Sequence, residues 1–456
     1  MFKNSYKEKT VLITGHTGFK GTWLTIWLLK LGAKVVGISK DIPSKPSMFE
    51  VLDLKEKIID YKFNIRDLEK LKEVIQKEEP DYIFHLAAQP LVSISYSNPI
   101  ETITTNTLGT ANLLESIREY EKQLILILIT SDKAYNNVEW PWGYKETDIL
   151  GGKDIYSGSK AAAEILIKSY WESFIKKKEN IKLGICRAGN VIGGGDWAKD
   201  RIVVDCMRAW SKNELVTIRS PKATRPWQHV LEPLSGYLLL GSRLNESSDL
   251  DGEPFNFGPN ADVNKTVEEL INDLSKTWHQ KHDVFYEVTE NIPFKESSLL
   301  KLNCDKSMFY LNWTPTLNYN QTIDLVGDWY SHFYGQKNNL YELTLKQIIF
   351  FENLNQIKGW KKHTKMNMNL IVPVGEIKFV LYDDRDNKSE PKIKEVTIGQ
   401  SNYRRLTIPP NIYVSFKGIS KNINLILNIA DMEHDPNESI NIDLSDISYE
   451  WETTDL

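Results

Sequence analysis

Tyr156-Ser-Gly-Ser-Lys160 sets a phenol and an ammonium four residues apart. On a helix that spacing puts both side chains on one face. A cation beside a phenol favours the phenolate and lowers a pKa that starts near about 10, so this pair is expected to take a proton from a substrate hydroxyl. A second cluster, Thr130-Ser131-Asp132-Lys133, follows the apolar run Leu124-Ile-Leu-Ile-Leu-Ile129. Ser131 is suited to hydrogen-bond the hydroxyl that Tyr156 deprotonates. Asp132 and Lys133 add what elimination of water requires, one group to protonate a departing hydroxyl and another to remove a carbon-bound proton. An isolated Asp-Lys is more often a surface turn, and a lone Y-x-x-x-K arises by chance. Position at the C-terminal end of a central strand is what gives these residues weight.

Hydroxyl deprotonation needs an acceptor for the hydride. Thr14-Gly15-His-Thr-Gly18-Phe-Lys-Gly21 lies directly after the strand-like run Thr10-Val-Leu-Ile-Thr14 and opens a helical one. The chain there must turn tightly and let a dinucleotide pyrophosphate approach backbone N–H groups at a helix N-terminus. The G-x-x-G-x-x-G spacing is similar to that of short-chain dehydrogenases, and Gly15, Thr17, Gly18, Phe19, Lys20 and Gly21 are the expected cofactor loop. After the second strand stands Ser39-Lys40-Asp41. Asp41 suits a ribose hydroxyl and Lys40 an additional phosphate, and the expected cofactor is NAD rather than NADP. Asn64 and Ile65 fall where adenine would rest. Leu86, Ala87, Ala88 and Asn106 are expected on the nicotinamide side of the cleft together with Tyr156 and Lys160, and Gln89 on the substrate side.

Short apolar runs alternate with amphipathic ones from Thr10 to Arg187. Strands are expected at Thr10–Thr14, Lys34–Ile38, Asp81–His85, Leu124–Thr130 and Lys182–Arg187. Helices are expected at Gly18–Leu31, Asp67–Lys77, Leu108–Arg118 and Lys160–Phe174. Continuous apolar strands separated by helices indicate a doubly wound parallel sheet of Rossmann type, covered on both faces. After residue 190 the rhythm breaks, and pieces such as Val216–Arg219 and Pro254–Gly258 are scattered among helices, as in a smaller substrate lobe. This first unit is expected to span 1–335, its Rossmann core about 8–190. Helix Tyr319–Tyr334 closes it, and polar Gly335–Asn339 marks the boundary. From 340 to 456 the chain is β-rich, with turns at intervals of roughly ten residues, the spacing of a sandwich or barrel.

At 456 residues, two or three domains are expected, and 41% hydrophobic with 26% charged residues is a globular mix. The formal charge of -5 argues against nucleic acid as a partner. No apolar run is long enough to cross a bilayer or serve as a signal peptide. Cys186, Cys206 and Cys304 are widely separated, giving neither a disulfide framework nor a zinc knuckle and favouring the cytoplasm. His279 and His282 have metal-pair spacing but gain no acid or cysteine, so no metal is expected.

Together with Pro46-Ser-Met-Phe49, Arg187-Ala-Gly-Asn-Val-Ile-Gly-Gly-Gly-Asp-Trp197 and Arg225-Pro-Trp-Gln-His-Val-Leu-Glu-Pro233, the loop and the Thr130–Lys133 run resemble the CDP-glucose 4,6-dehydratases over residues near 5 to 335. Thymidine- and guanosine-linked relatives typically carry Asp-Glu where this chain has Asp132-Lys133. The resemblance implies oxidation at carbon 4 of a nucleotide-linked hexose, loss of the 6-hydroxyl as water, and reduction at carbon 6. Tyr156, Ser131 and Lys160 would act in the first stage, with Asp132 as acid and Lys133 assisting proton removal in the second. Asn190, Arg201, Arg219, Arg225 and His229 are the expected contacts to the nucleotide sugar, Arg225 foremost, because a guanidinium suits phosphate. The resemblance also implies a homodimer or higher oligomer, built on helices Leu108–Arg118 and Lys160–Phe174. A nucleotide-sugar epimerase or reductase is the nearest rival, and a nucleotide sensor on an inactive scaffold is the non-enzymatic one.

Ile357-Lys-Gly-Trp360, Gly375-Glu-Ile-Lys-Phe-Val380, Leu406-Thr-Ile-Pro-Pro410 and Asn428-Ile-Ala-Asp431 resemble the cupin (jelly-roll) barrel of dTDP-4-dehydrorhamnose 3,5-epimerases. That family's base histidine and tyrosine do not carry over. His363 and Tyr382 remain, without forming an acid–base pair, and His363 with His434 is too few for a metal. A degenerate cupin is expected, with a bifunctional dehydratase–epimerase as the alternative.

Overall fold

The computed structural model describes residues 2–260, 265–278, 286–289, 299–335, 339–386, 390–420, 424–433, 435–442, 444–449 and 451. His279, His282 and His434 lie outside the described residues. The chain divides into two compact units, Met1–Ile348 and Ile349–Leu456. The division falls inside a helix, Leu340–Gln356, that follows the polar Gly335–Asn339 stretch.

In the first unit the apolar runs become strands β1 (Thr10–Thr14), β2 (Lys34–Ser39), β3 (Ile59–Lys62), β4 (Tyr82–His85), β5 (Leu124–Ile129) and β6 (Ile181–Ala188). Pro254–Phe257 joins β6 as the seventh strand, giving the order Pro254–Phe257, β6, β5, β4, β1, β2, β3. Every pairing in this sheet is parallel. Leu124-Ile-Leu-Ile-Leu-Ile129 is buried at all six positions, as a strand covered on both faces must be. Leu12, Val36, Ile83, Leu126 and Leu183 of the sheet meet Leu71, Leu113 and Ile167 of the helices in one core. Each such fully buried side chain contributes about 1.5–3 kcal/mol.

Pro254–Phe257, expected in the smaller lobe, belongs to the main sheet instead. Gly252, at φ +82°, turns the chain there, and Phe255 and Phe257 are wholly buried. Val216–Ile218 does lie outside the sheet, paired with Tyr286–Val288. The helix expected to start at Lys160 starts at Ile155, because the Asp154 carboxylate caps it by accepting from the Ser157 N–H at 2.9 Å.

The second unit holds a five-stranded and a three-stranded antiparallel sheet. In the first, Glu376–Asp383 pairs with Lys392–Gly399 and with Tyr413–Gly418. In the second, Met368–Val374 lies between Leu406–Ile408 and Leu425–Asn428. Their facing side chains form an apolar core of Met366, Met368, Leu370, Val372, Ile377, Phe379, Ile398, Ile408, Ile412 and Val414.

Candidate active site

Strand order reverses between β1 and β4, and a crevice opens at the C-terminal ends of such a pair. Gly15 leaves β1 at φ +80°, a conformation that glycine adopts freely. A Cβ there would lie 2.8 Å from the Ala87 nitrogen after β4, so the two chain segments touch. A Cβ on Gly21 would lie 2.2 Å from the Gly15 carbonyl oxygen, and helix Phe19–Lys30 packs against the turn at that point. Gly18 is the N-cap of this helix, in extended conformation and with no side-chain cap. Unsatisfied first-turn N–H groups above a turn with no room for Cβ atoms fit a dinucleotide pyrophosphate.

Around this turn, Thr17 Oγ1 donates to the Asp41 carbonyl at 2.7 Å, and the His16 ring is held by Ser39 Oγ at 3.0 Å and Asp60 Oδ1 at 2.9 Å. Thr17, Ser39 and Asp41 line a cleft of about 370 Å³. Lys40 is engaged by Glu101 at 3.2 Å and Asp41 at 3.9 Å. Asn64 closes its own turn by accepting from the Arg66 N–H at 3.0 Å, and Ile65 is buried in the core against Gly109. Leu86, Ala87 and Ala88 follow β4, where the Ala87 N–H donates to Thr14 Oγ1 at 3.2 Å. Asn106 and Gln89 spend their side chains on one another's loops. Asn106 Oδ1 accepts from the Gln89 N–H at 2.7 Å and its amide donates to Ser159 Oγ at 3.0 Å, while the Gln89 amide reaches Thr102 Oγ1 at 2.9 Å. Both therefore brace the crevice wall beside Tyr156.

Tyr156 and Lys160 project from the first two turns of helix Ile155–Tyr170, and both are buried. Ser131 and Asp132, just past β5, are buried too, while Lys133 is half-buried. The Ser131 side chain acts on the Tyr156 phenol. Ser131 Oγ in turn donates to Asp132 Oδ1 at 3.0 Å and accepts from the Lys133 N–H at 3.2 Å. Burial drives the electrostatics. It pushes the phenol up to about 12, against Ser131 and Arg201, which pull it down. The lowering expected from the sequence is thus reversed, because removing a phenolate from water outweighs its charged neighbours. Burial likewise raises the Asp132 carboxyl above the usual carboxylate range, opposed by Lys133, Ser131 and Lys20. It lowers the Lys160 ammonium to about 8, with Glu164 pulling it back up.

Lys20 was expected to serve the cofactor loop. Its ammonium, lowered to about 8 by burial and by Arg201, is surrounded by Asp132, Lys160 and Asp196 as well. The N-terminal turn of this helix abuts the Gly193–Gly194 turn, where Trp23 Nε1 donates to the Gly194 carbonyl at 2.9 Å. Lys20 therefore belongs with the acid cluster as much as with the glycine turn.

A polar network that the sequence reading missed supports the catalytic helix. Glu164 pairs with Arg187, whose Nε lies 2.9 Å from both carboxylate oxygens. Thr130 Oγ1 donates to Glu164 at 2.6 Å, Arg187 donates to the Tyr135 hydroxyl at 2.7 Å, and Tyr135 donates to Asn256 Oδ1 at 2.8 Å. The signal was present, since Glu164 stands four residues beyond Lys160 on the same helical face.

The expected substrate contacts separate. Arg201 pairs with Asp196 and acts electrostatically on both Lys20 and Tyr156. Asn190 is half-buried directly after Gly189, whose Cα hydrogen faces Asp132 so closely that a Cβ would sit 3.2 Å from the carboxylate. These two lie with the acid cluster. Arg225 stands on a two-residue strand paired with Lys265, its guanidinium donating to the Thr224 carbonyl at 2.9 Å. Arg219 follows Val216–Ile218 and acts on the Asp205 carboxyl. His229 is different. It is wholly buried against Trp23, burial lowers its ring to about 3, and its Nε2 is buried without a hydrogen-bond partner.

Among the described residues, no three His, Cys, Asp or Glu side chains gather to hold a metal. Cys186, Cys206 and Cys304 are buried free thiols. No helix among the described residues is long and apolar enough to cross a membrane.

Comparison with known proteins agrees with this geometry. Residues 12–326 match the family model of GDP-mannose 4,6 dehydratase. CDP-glucose 4,6-dehydratase of Salmonella typhimurium is 43% identical over 332 residues, covering 72% of this chain and 92% of that protein. The dTDP-D-glucose 4,6-dehydratase of Dictyostelium discoideum is 30% identical over 245 residues, covering 50% and 54%. Among solved structures, UDP-glucose 4-epimerase of Thermotoga maritima superposes with a TM-score of 0.60 at 23% identity over 72% of this chain and 99% of that one. The dTDP-glucose 4,6-dehydratase of Bacillus anthracis, in complex with NAD, gives 0.58 at 19% identity over 72% and 97%. With more than half of its length matched to the family model and that dehydratase relative at its side, the chain belongs to the nucleotide-sugar 4,6-dehydratase family.

Proposed function

We propose that the protein is a CDP-glucose 4,6-dehydratase that converts CDP-glucose to CDP-4-keto-6-deoxyglucose. The carrying observation is the buried Asp132 carboxyl, which accepts from Ser131 Oγ at 3.0 Å and acts electrostatically on the buried Tyr156 phenol. An epimerase has no use for an acid there. The choice of cytidine rests on the 43% identical relative and on Lys133 after Asp132.

The glycine turn and the uncapped helix N-terminus fit NAD, with Asp41 on the ribose side and Lys40 already engaged by acids. Bound NAD supplies reversible hydride storage. Tyr156, oriented by Lys160 and Ser131, receives the proton of the sugar 4-hydroxyl as carbon 4 is oxidised. The ketone acidifies the hydrogen on carbon 5, which the uncharged amine of Lys133 removes as a proton. Asp132 gives its proton to the 6-hydroxyl, the C6–O bond breaks, and water leaves. Lys133 then returns the proton to carbon 5 as carbon 6 is reduced. Arg201 and Arg225 are proposed for the diphosphate and Asn190 for the sugar.

The β domain is proposed to be a cupin without catalysis of its own. Its interior is filled by Met, Leu, Ile, Val and Phe, and the His363 ring is taken by Glu438, a carboxylate further held by the N–H groups of Thr364, Lys365 and Met366. The exposed Ile100, Ile103, Leu108 and Ile165 support a proposed homodimer face on the first unit.

The test is turnover of CDP-glucose against UDP-, dTDP- and GDP-linked hexoses, read by chromatography of the 4-keto-6-deoxy product. Exclusive or dominant turnover of CDP-glucose is expected, and preference for another nucleotide refutes the cytidine reading. Exchange of the product's carbon-3 hydrogen with solvent refutes the non-catalytic cupin.

A further inference from the structure

The dehydratase reading asks two separate elements to work on one sugar. Tyr156 and Lys160 ride on helix Ile155–Tyr170, whereas Asp132 and Lys133 ride on the short turn that follows β5, with Ser131 as its cap. The turn is closed by its own bonds, the Ala134 and Tyr135 N–H groups donating to the Ser131 and Asp132 carbonyls at 3.1 and 3.2 Å. Those bonds fix its shape. Its attitude toward the helix is set by whatever holds its two ends, and a misplacement of about 1 Å slows such chemistry about 10²-fold.

Both ends run to one buried ion pair. Before the turn, Thr130 Oγ1 donates to the Glu164 carboxylate at 2.6 Å. After it, the Tyr135 hydroxyl accepts from Arg187 at 2.7 Å and donates to Asn256 Oδ1 at 2.8 Å. Glu164 and Arg187 are themselves joined, the Arg187 Nε lying 2.9 Å from both carboxylate oxygens. Glu164 stands one helical turn beyond Lys160 and about two beyond Tyr156, on their face of the helix. Arg187 belongs to β6, the neighbour of β5 in the sheet. We propose that Glu164 and Arg187 are positioning residues that clamp the turn bearing Asp132 and Lys133, at Thr130 and at Tyr135, in register with Tyr156 and Lys160. This inference rests on the dehydratase reading above.

The network is suited to hold an orientation. Glu164, Arg187, Tyr135 and Asn256 are each at most 3% exposed, so none can exchange its partner for water. Their remaining groups are engaged as well. Arg187 donates to the Glu146 carbonyl at 3.2 Å, and the Asn256 amide donates to the Tyr144 and Asn303 carbonyls at 2.9 and 3.0 Å. The Tyr135 ring stacks on Tyr144 with centroids 5.2 Å apart, and the Arg187 guanidinium lies 4.8 Å from its centroid. A buried ion pair stabilises a fold little more than apolar side chains of the same volume would. What it adds is direction, because each bond specifies a distance and an angle. A turn held at one end can pivot about it; held at both ends by one rigid pair, it cannot. The helix has its own anchor in the Asp154 cap. Releasing the turn therefore displaces Asp132 and Lys133 and leaves Tyr156 and Lys160 in place.

The clamp changes the ratio of two steps instead of abolishing both. Single turnover of the NAD-loaded full chain with CDP-glucose separates them, since reduced nicotinamide appears on oxidation at carbon 4 and disappears once water has left. Tyr135→Phe removes one oxygen atom and keeps the stacked ring. Its oxidation phase is expected near the native rate and its elimination phase slower by about 10- to 100-fold. Reduced nicotinamide and a 4-keto sugar that retains its 6-hydroxyl then accumulate. Thr130→Val, of the same shape without the hydroxyl, is expected to shift the ratio the same way from the other end, and Thr130→Ser to restore it. Thr130 is only half-buried, so Thr130→Val carries the test where Tyr135→Phe does not fold. A network that only supports the fold lowers the fraction of folded, NAD-loaded protein and leaves the ratio native in what remains. A native ratio in either folded variant, equal slowing of both phases, or failure of Thr130→Ser to rescue overturns the clamp. If native protein oxidises no nucleotide hexose, the dehydratase reading fails. If it dehydrates CDP-glucose and the variants keep its ratio, the clamp alone fails.

Discussion

Replacing Gly21 by alanine should uncouple cofactor binding from folding. The added Cβ would lie 2.2 Å from the Gly15 carbonyl oxygen and 2.7 Å from His16 Cα, short of the 3.4 Å of ordinary contact by 1.2 and 0.7 Å. Both neighbours are backbone, so relief requires the turn itself to move by about 1 Å, and a hydrogen bond of about 2.9 Å does not survive that. Hydrogen bonds to a charged group are worth about 1.5–3 kcal/mol each. Loss of two from the first helical turn weakens NAD by about 10²–10⁴-fold. Overpacking a single methyl costs the fold only about 1–3 kcal/mol. Calorimetric titration with NAD and thermal unfolding separate the two effects. Folded Gly21→Ala protein that binds NAD as tightly as native protein refutes the assignment of this turn to the pyrophosphate. Gly158→Ala is the control, since nothing lies within 4 Å of its Cβ position and the residue is helical. It should stabilise the protein by about 0.5–1 kcal/mol.

Glu164→Gln leaves the Arg187 guanidinium buried without its counter-charge, at an expected cost of about 3–5 kcal/mol in denaturant unfolding; a loss below about 1 kcal/mol would show that Tyr135 and Glu146 suffice for Arg187. Lys160→Met tests burial of the ammonium. The folded-state value of about 8 lies below the ordinary 10.5, so the unfolded chain binds more protons between those limits and native stability rises with pH through that window. The methionine variant should therefore be the more stable protein at neutral pH, by up to about 3 kcal/mol. Its advantage should disappear above the ordinary lysine value. Urea unfolding at a series of pH values decides it, and a less stable variant at neutral pH contradicts the sign.

Sequence carried the parts of this site that depend on local spacing. The glycine turn, the Tyr156–Lys160 face and the Thr130–Lys133 run at a strand end are all fixed by residues within one element or its neighbour. What failed depends on enclosure. A lysine four residues from a tyrosine suggests a depressed phenol, and only the folded chain reveals that desolvation wins. The full burial of His229 is equally hidden, because nothing local announces that Trp23 closes over it. Lys20 belongs to a glycine motif with an obvious task, and its approach to Asp132 exists only after the sheet aligns β1 with β5 through β4. Pro254–Phe257 has too few residues to declare its partner, and β6 supplies that partner from far away in sequence. In the β-rich unit, strands Met368–Val374 and Glu376–Asp383 were legible from their apolar runs, whereas Lys392–Gly399 was hidden by charged residues on a half-exposed strand.

The central claim is that Asp132 and Lys133 expel water from the same sugar that Tyr156 oxidises. Single turnover of Lys133→Met with CDP-glucose tests it most directly, following reduced nicotinamide and sugar together. The account expects reduced nicotinamide and a 4-keto sugar that retains its 6-hydroxyl to accumulate to the concentration of sites. Formation of the 4-keto-6-deoxy sugar at the native rate, with no such accumulation, contradicts it.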